Sequence, residues 1–189
     1  MQKRFLILTM AALSACRPAA DQAHEASPGS ARNDAPRPPT APAPGTPGGL
    51  PDDRTPLIEP KGPIDPKSAE AAGQVMQQYA ALLEQRRFAE AYRLWGNGGR
   101  ASGLSERGFA EQFEDDAETH FEIGKPGDLE GAAGSSYVTV PFRLYGRRKT
   151  GADYSNAGTA TLRRVNDVPG SSEEQRRWHI ERLDFDGAA

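Results

Sequence analysis

The chain has 189 residues, with 23 Lys and Arg against 26 Asp and Glu, and a formal net charge of -3. This balance excludes a general polyanion-binding protein, and the one cysteine excludes an internal disulfide framework and any multi-cysteine metal site. Thirteen of the 16 prolines lie between Pro18 and Pro66, whereas every aromatic residue except Phe5 lies at or beyond Tyr79. The sequence therefore predicts a proline-rich half that cannot bury a core, joined to a half that can.

The first residues have the order of a secretory signal peptide. Lys3 and Arg4 precede a short apolar run, which is about half of the ~20 residues that a transmembrane helix needs. The run ends in Leu13-Ser14-Ala15-Cys16, which resembles the lipobox of bacterial lipoproteins. This resemblance implies that residues 1–15 are removed as a lipoprotein signal peptide. It also implies that Cys16 carries diacylglycerol and an amide-linked acyl chain such as palmitate, which anchor the protein to a membrane.

The residue after the cysteine is Arg17 and not Asp. In the enterobacterial sorting pattern, Asp at this position retains a lipoprotein at the inner membrane, so the resemblance implies a lipid anchor in the outer membrane, facing the periplasm. The alternative is a soluble secreted protein in which Cys16 has no special role.

Residues 16–65 are predicted to be a disordered tether that begins at the lipidated cysteine. They contain almost no large apolar residues besides Leu50, Leu57 and Ile58, too few to offset the entropy of ordering the segment. At about 3.1 Å per residue, the segment could extend to about 150 Å at most. A proline-rich ligand for a partner groove is the alternative, but no aromatic anchor stands beside the prolines to fix its register. Leu57-Ile58 could still pack on the domain as a leading strand.

Residues 66–187 are predicted to form the globular domain, and it opens with helices. Asp65-Pro66 is a helix-start signal, and apolar residues then recur at spacings of three and four along about five turns. These residues are Ala69, Ala72, Val75, Met76, Tyr79, Leu82 and Leu83. A second apolar stripe runs from Phe88 to Trp95, and a third helix is predicted from Ser105 to about Thr119.

The periodicity then changes from that of a helix to that of a strand. Val138, Val140, Phe142 and Leu144 alternate with other residues between Tyr137 and Tyr145. Further strands are predicted at Asn156–Val165 and Arg177–Phe185, with shorter ones at His120–Ile123 and Asp128–Glu130. Pro141 lacks an amide hydrogen and is therefore expected at an edge, a bulge or a bend. Helices followed by an antiparallel meander define an α+β fold.

This order of elements, with an aromatic-bearing helix first and Trp178-His179-Ile180 in the last strand, resembles the NTF2-like superfamily that includes SnoaL and ketosteroid isomerase. The resemblance covers about Pro66 to Phe185. It implies a cone in which the N-terminal helices pack inside a curved antiparallel sheet. A cystatin-like sheet around one helix is the nearest alternative, but it would not explain the third helix.

The resemblance also implies a pocket inside the cone. Five aromatic residues are predicted to line it: Tyr79, Trp95, Phe113, Tyr145 and Trp178. Enzymes of this fold place a carboxylate or histidine base opposite an oxyanion donor, and the candidates are Asp115, Asp116 and His120, with Tyr79, Tyr145 and Tyr154 as donors. Each candidate base also has a plainer explanation, as a solvated acidic helix face or as a histidine at a helix C-terminus. No catalytic residue is therefore predicted.

Other kinds of site have no support in the sequence. No His, Cys and carboxylate residues have metal-ligand spacing, and Gly96, Gly98 and Gly99 lack the following Lys-Ser/Thr of a phosphate loop, so no metal or cofactor is expected. No nucleic acid is expected either, because the polyanions of a periplasm are lipid phosphates and acidic proteins. The sequence contains three basic clusters: Arg147-Arg148-Lys149, Arg163-Arg164 and Arg176-Arg177. They could meet in space and bind a polyanion. Alternatively, their charges could protect hairpin tips and strand edges from pairing with other chains.

The function predicted from the sequence is a membrane-anchored periplasmic binding or assembly module that holds a small apolar ligand or a protein partner. Two alternatives stay open. One is an isomerase or hydratase of the ketosteroid-isomerase type, and the other is an immunity-type lipoprotein that inhibits a toxin.

Overall fold

The computed structural model describes residues 42–54 and 62–187, which all belong to one compact unit. The predicted signal peptide, Cys16, and residues 17–41 and 55–61 of the predicted tether, which include Leu57 and Ile58, lie outside the described residues. No helix in the described part of the chain has both the length and the apolar composition needed to cross a membrane.

Within residues 62–187, three helices precede the sheet: α1 (Ala69–Glu84), α2 (Phe88–Arg93) and α3 (Glu106–Glu111), with one 3₁₀ turn at Arg100–Ser102. Helix α1 begins later than predicted, because the Ser68 hydroxyl accepts a hydrogen bond from the Ala71 amide at 3.2 Å and caps the helix. Asp65 instead accepts from the Lys67 amide in the turn before it.

The sheet contains five antiparallel strands: β1 (Asp116–Ile123), β2 (Glu130–Ala132), β3 (Ser135–Arg148), β4 (Asp153–Val165) and β5 (His179–Phe185). The order across the sheet is β1-β3-β4-β5, and β2 pairs with the first residues of β3. The chain after α2 forms a short parallel bridge with the free edge of β5. In this bridge the Gly96 amide donates to the Ile180 carbonyl at 2.9 Å.

The core lies between α1 and the inner face of the sheet. Met76, Tyr79 and Leu83 of α1 are at most 2% exposed, as are Val140 of β3 and Ile180 of β5. The apolar stripe of α1 therefore faces the alternating apolar residues of the strands. This is the α+β cone that the sequence predicts, with the helices packed in a curved antiparallel sheet.

The prediction of a third helix from Ser105 to about Thr119 is wrong for its second half. Helix α3 ends at Glu111, and Asp116–Ile123 is strand β1. Thr119, Phe121 and Ile123 alternate toward the interior, and β1 pairs with the second half of β3. The acidic residues before Thr119 suit a solvated helix, but pairing with β3 and burial of Phe121 fix the extended conformation instead.

Pro141 lies in the long strand β3 where no regular pairing needs its missing amide. Its carbonyl accepts from the Gly124 amide at 2.8 Å, one residue beyond the end of β1. The amide and the carbonyl of a strand residue point to the same side, so the missing donor faces the gap between β1 and β2. Pro141 is nevertheless paired with Thr159 in the regular β3–β4 ladder, so the prediction that it avoids a regular ladder is wrong: only the side of β3 that faces the gap lacks regular pairing.

Residues 42–54, within the segment predicted as a tether, pack on the outer face of the sheet. Leu50 is only 5% exposed, and the Asp53 carboxylate lies 2.8 Å from the Arg143 guanidinium of β3. Ordered contacts with the domain therefore begin upstream of residue 65.

Candidate functional site

A cavity of about 290 Å³ opens between the helices and the inner face of the sheet. Its walls are mostly aromatic and aliphatic, with a few polar groups. The lining residues include Tyr79, Trp95, Phe113, Asp116, Arg148 and Tyr154. Exposed Leu104 and Phe185 also border the cavity, so apolar side chains stand where it meets solvent. A concave, largely apolar cavity with a few polar groups is typical of a small-molecule site.

The polar side of the cavity is centred on Asp116, which is 4% exposed. Its Oδ1 lies 2.5 Å from a terminal nitrogen of Arg148, and its Oδ2 accepts a hydrogen bond from the Tyr154 hydroxyl at 3.0 Å. The Thr119 hydroxyl lies 3.4 Å from the same oxygen. A buried carboxylate requires such partners, because an unpaired charge in the interior is costly.

Tyr154 is the second titratable group of this cluster. Burial raises its pKa to about 12, and the negative charge of Asp116 contributes to that rise. The Arg148 guanidinium also stacks 4.5 Å from the centre of the Tyr154 ring. Tyr154 therefore remains neutral, and its hydroxyl already donates its hydrogen bond to Asp116.

Two local features hold Asp116 and Tyr154 in place. Arg86 adopts a positive φ of 58° in the turn after α1, and its guanidinium donates to the Asp116 carbonyl at 3.1 Å. Gly146 of β3 leaves room for Tyr154, because a Cβ at this position would come within 2.6 Å of the Tyr154 hydroxyl. Position 146 therefore requires glycine, because the Tyr154 side chain of the neighbouring strand β4 lies directly over it.

The other wall of the cavity carries a polar group without a partner. The indole N–H of Trp95 is buried and makes no hydrogen bond within the described chain. Burial raises the pKa of Tyr79. The nearby Trp95 indole partly opposes this rise, although the two groups do not reach hydrogen-bond geometry. A buried donor without a partner costs free energy in the folded protein.

The structure separates the five predicted aromatic residues. Tyr79, Trp95 and Phe113 line the cavity. Tyr145 lies on the outer face of the sheet beside His120, at a ring distance of 5.4 Å. Trp178 is buried next to a different groove, between α1 and the start of β5.

The candidate bases also separate. Asp116 lines the cavity, but Asp115 is exposed, and its backbone carbonyl accepts from the Lys149 amide. His120 lies on the outer side of β1, with Nδ1 3.2 Å from Glu84 and Nε2 3.4 Å from Glu118. The three residues therefore do not converge. Asp115 and Asp116 are chain neighbours that point in different directions, and the register shift between Asp116 and Glu118 puts His120 on the opposite face from Asp116.

Sequence reasoning missed Arg148, which it assigned to a basic hairpin tip. Strand β3 continues to Arg148, and this residue has the same parity as Phe142 and Leu144, which face the interior. Extending the period of two beyond Tyr145 would have placed the arginine inside the cone.

The basic clusters do not form one patch. Arg147 pairs with Asp153 on the outer side at 2.7 Å, whereas Arg148 enters the cavity. Arg164 is buried, and its guanidinium donates to the Arg176 carbonyl at 3.0 Å. In the described residues, no group of three His, Cys, Asp or Glu side chains is placed to hold a metal ion.

Solved structures with a similar fold have low sequence identity to this chain. An NTF2-like superfamily protein from Salmonella enterica serovar Typhimurium is 9% identical, with a TM-score of 0.46, and the match covers 64% of this chain and 91% of that one. The Kfla4162 protein from Kribbella flavida is 12% identical, with the same TM-score and coverage. Aln2 from a Streptomyces species is 13% identical, with a TM-score of 0.39, over 59% of this chain and 84% of that one. No protein-family model matches the sequence, and no curated protein matches it significantly.

Proposed function

We propose that this protein is a lipid-anchored periplasmic binding module whose cone holds a small, largely apolar molecule with one hydrogen-bond-accepting oxygen. The observation that carries the proposal is a cavity of about 290 Å³ with aromatic walls, one of which is Trp95, whose buried indole N–H has no partner in the described residues. The aromatic walls favour an apolar body, and the free donor favours an acceptor such as a carbonyl oxygen.

Binding accounts for the polar groups of the cavity better than proton abstraction does. A general base needs a free lone pair within reach of the substrate. One oxygen of Asp116 is held by Arg148 and the other by Tyr154, and His120 lies on the opposite face of the sheet. The carboxylate is therefore engaged in fixing the cavity wall, and any proton abstraction by Asp116 would compete with its bonds to Arg148 and Tyr154.

A pair of matched probes tests the ligand chemistry: 2-acetylnaphthalene, which carries a carbonyl, and 2-ethylnaphthalene, which does not. Calorimetric titrations should show the carbonyl probe binding about tenfold more tightly, as expected for one satisfied buried donor. Trp95→Phe should remove this preference, whereas Trp178→Phe, which alters a tryptophan outside the cavity, should keep it. Equal affinity of both probes for the unaltered protein would contradict an acceptor site.

The membrane anchor rests on the lipobox resemblance at Leu13-Ser14-Ala15-Cys16. Cys16→Ser should leave the protein unprocessed or soluble, and Ser14→Ala, which keeps a small residue in the lipobox, should be processed normally. Fractionation of the cell envelope measures both variants. Normal processing and membrane retention of Cys16→Ser would overturn the anchoring proposal.

A further inference from the structure

We propose that the outer face of the sheet around Tyr145 is a docking site for a short peptide segment, and that residues 42–54 of this chain occupy it as a reversible clip. The docking itself does not depend on the proposed cavity function or on the membrane anchor. The proposal is drawn from the internal structure of the clip, its contacts with β3 and the surface that it covers.

The clip has a defined turn of its own. The Gly45 amide donates to the Leu50 carbonyl at 2.7 Å, and the Gly49 amide donates to the Thr46 carbonyl at 2.9 Å. Gly45 and Gly48 both have φ near +80°, at +78° and +80°, which favours glycine. A Cβ on Gly49 would lie 2.2 Å from a backbone oxygen. The glycines therefore specify a compact turn that presents Leu50.

Contacts of three kinds join this turn to the domain. Leu50 is 5% exposed although it lies far along the chain from the core elements. The Gly48 carbonyl accepts from Arg147 at 3.4 Å. The Asp53 carboxylate lies 2.8 Å from Arg143, which also holds Glu122 of the neighbouring strand at 2.7 Å. The clip therefore contacts the domain through a buried leucine, and two outward-facing arginines of β3 bind the polar groups on either side of it. Arg147 binds the Gly48 carbonyl and Arg143 binds the Asp53 carboxylate.

The surface under the clip is unusual for the outside of a sheet. Tyr145 points outward but is only 3% exposed, and its hydroxyl is buried without a hydrogen-bond partner in the described residues. Leu50 and Pro51 line a shallow depression together with Tyr145. Burial raises the pKa of Tyr145, and the charges of Asp53 and Asp52 add to that rise. The nearby Asp53 backbone opposes it, although the two groups do not reach hydrogen-bond geometry. Release of the clip would expose the tyrosine.

The balance of forces makes the clip reversible. One buried leucine and partly exposed ion pairs stabilise it, against the entropy of ordering the segment. Covalent linkage supplies the segment at a high effective concentration, which favours the docked state. If the chain is anchored as proposed above, release would lengthen the tether by about 40 Å, at about 3.1 Å per residue.

A peptide competition on the full chain tests the proposal. Leu50→Asp should release the clip, and a synthetic peptide of residues 42–54 should then bind the free site. The amide resonances of Tyr145 and Arg147 report binding. At the same peptide concentration, the unaltered chain should show at least about tenfold weaker binding, because its own clip competes. A peptide that itself carries Leu50→Asp should not bind.

Leu129→Asp is the matched control, since Leu129 is 51% exposed and lies outside the clip. It should leave the Tyr145 and Arg147 resonances unchanged. If Leu50→Asp also unfolds the chain, Asp53→Lys is the second variant: Asp53 is exposed, and its loss should weaken the clip without removing the apolar anchor. The proposal is overturned if the peptide fails to bind a folded, released chain, or if neither variant changes the Tyr145 resonance.

Discussion

Arg148, at the end of β3, pairs with Asp116, at the start of β1, across a distance of 2.5 Å. The two residues are direct partners in the β1–β3 register, so the geometry of the sheet itself brings them together. The carboxylate side chain is 5% exposed and the arginine 42%, so the negative charge is buried while its counter-ion reaches solvent. Asp116 is consequently the member of the pair that depends on its partner.

Arg148→Met should destabilise the protein by about 1 to 3 kcal/mol, because it leaves a buried carboxylate with only a tyrosine and a threonine as partners. Urea denaturation measures the change. Arg107→Met is the control: Arg107 pairs with Glu111 on an exposed helix face, and its replacement should cost at most about 0.5 kcal/mol. Equal effects of the two replacements would show that the Asp116 pair contributes no more than a surface ion pair.

Gly146→Ala should destabilise the protein by about 1 to 3 kcal/mol, the usual cost of overpacking. The new methyl group would meet the Glu118 carbonyl at 2.2 Å and the Tyr154 hydroxyl at 2.6 Å, which pushes Tyr154 away from Asp116. Gly131→Ala, also in a strand but with no atom within 4 Å of the new methyl group, should be nearly neutral. Thermal unfolding compares the two variants, and similar melting temperatures would contradict the crowding argument.

His120 predicts a pH dependence of stability. Burial by itself lowers its pKa, but hydrogen bonds to Glu84 and Glu118 outweigh burial and leave the pKa raised. A raised pKa in the folded state means that the folded protein binds the proton more tightly. The stabilisation is therefore complete below the unfolded value of about 6.5 and is lost as the pH rises through the folded pKa.

The free energy of unfolding should accordingly fall as the pH is raised above about 6.5, and His120→Gln should flatten this dependence. Denaturation at a series of pH values tests it. Asp52 of the clip also lies within electrostatic range of His120. The same series on the Leu50→Asp variant separates the contribution of Glu84 and Glu118 from that of the clip. A fall of unchanged size in His120→Gln would assign the dependence to other groups.

Leu83→Ala should cost about 2 to 5 kcal/mol, as expected for a leucine truncated in a packed core. Leu83 of α1 is 1% exposed and lies in the cluster that joins the helix to the sheet. Leu129→Ala provides the comparison, because Leu129 is 51% exposed and should lose less than about 0.5 kcal/mol. Comparable losses in a urea titration would mean that α1 is not the centre of the core.

Much of the fold was predictable where one periodicity persists over a whole element. The stripe of α1 repeats every three to four residues and the strand residues of β3 alternate, so both elements and the face that each buries follow from local pattern. The prediction failed between Glu111 and Thr119, where an acidic run suits a helix. There the pairing of β1 with β3 decides the conformation, and that pairing joins residues far apart in the chain.

The sequence by itself determined the apolar stripes, the α+β order of elements and the aromatic residues Tyr79, Trp95 and Phe113 as cavity candidates, because side-chain chemistry and spacing are local properties. Only the tertiary structure decided which candidates meet. Asp116 enters the cavity while its neighbour Asp115 faces solvent, and Tyr145 lies outside the cone. It also showed Leu50 packed on the sheet in a segment that composition alone marks as a spacer. The physical reason is that strand register assigns a side chain to one face or the other, and register depends on contacts between distant residues.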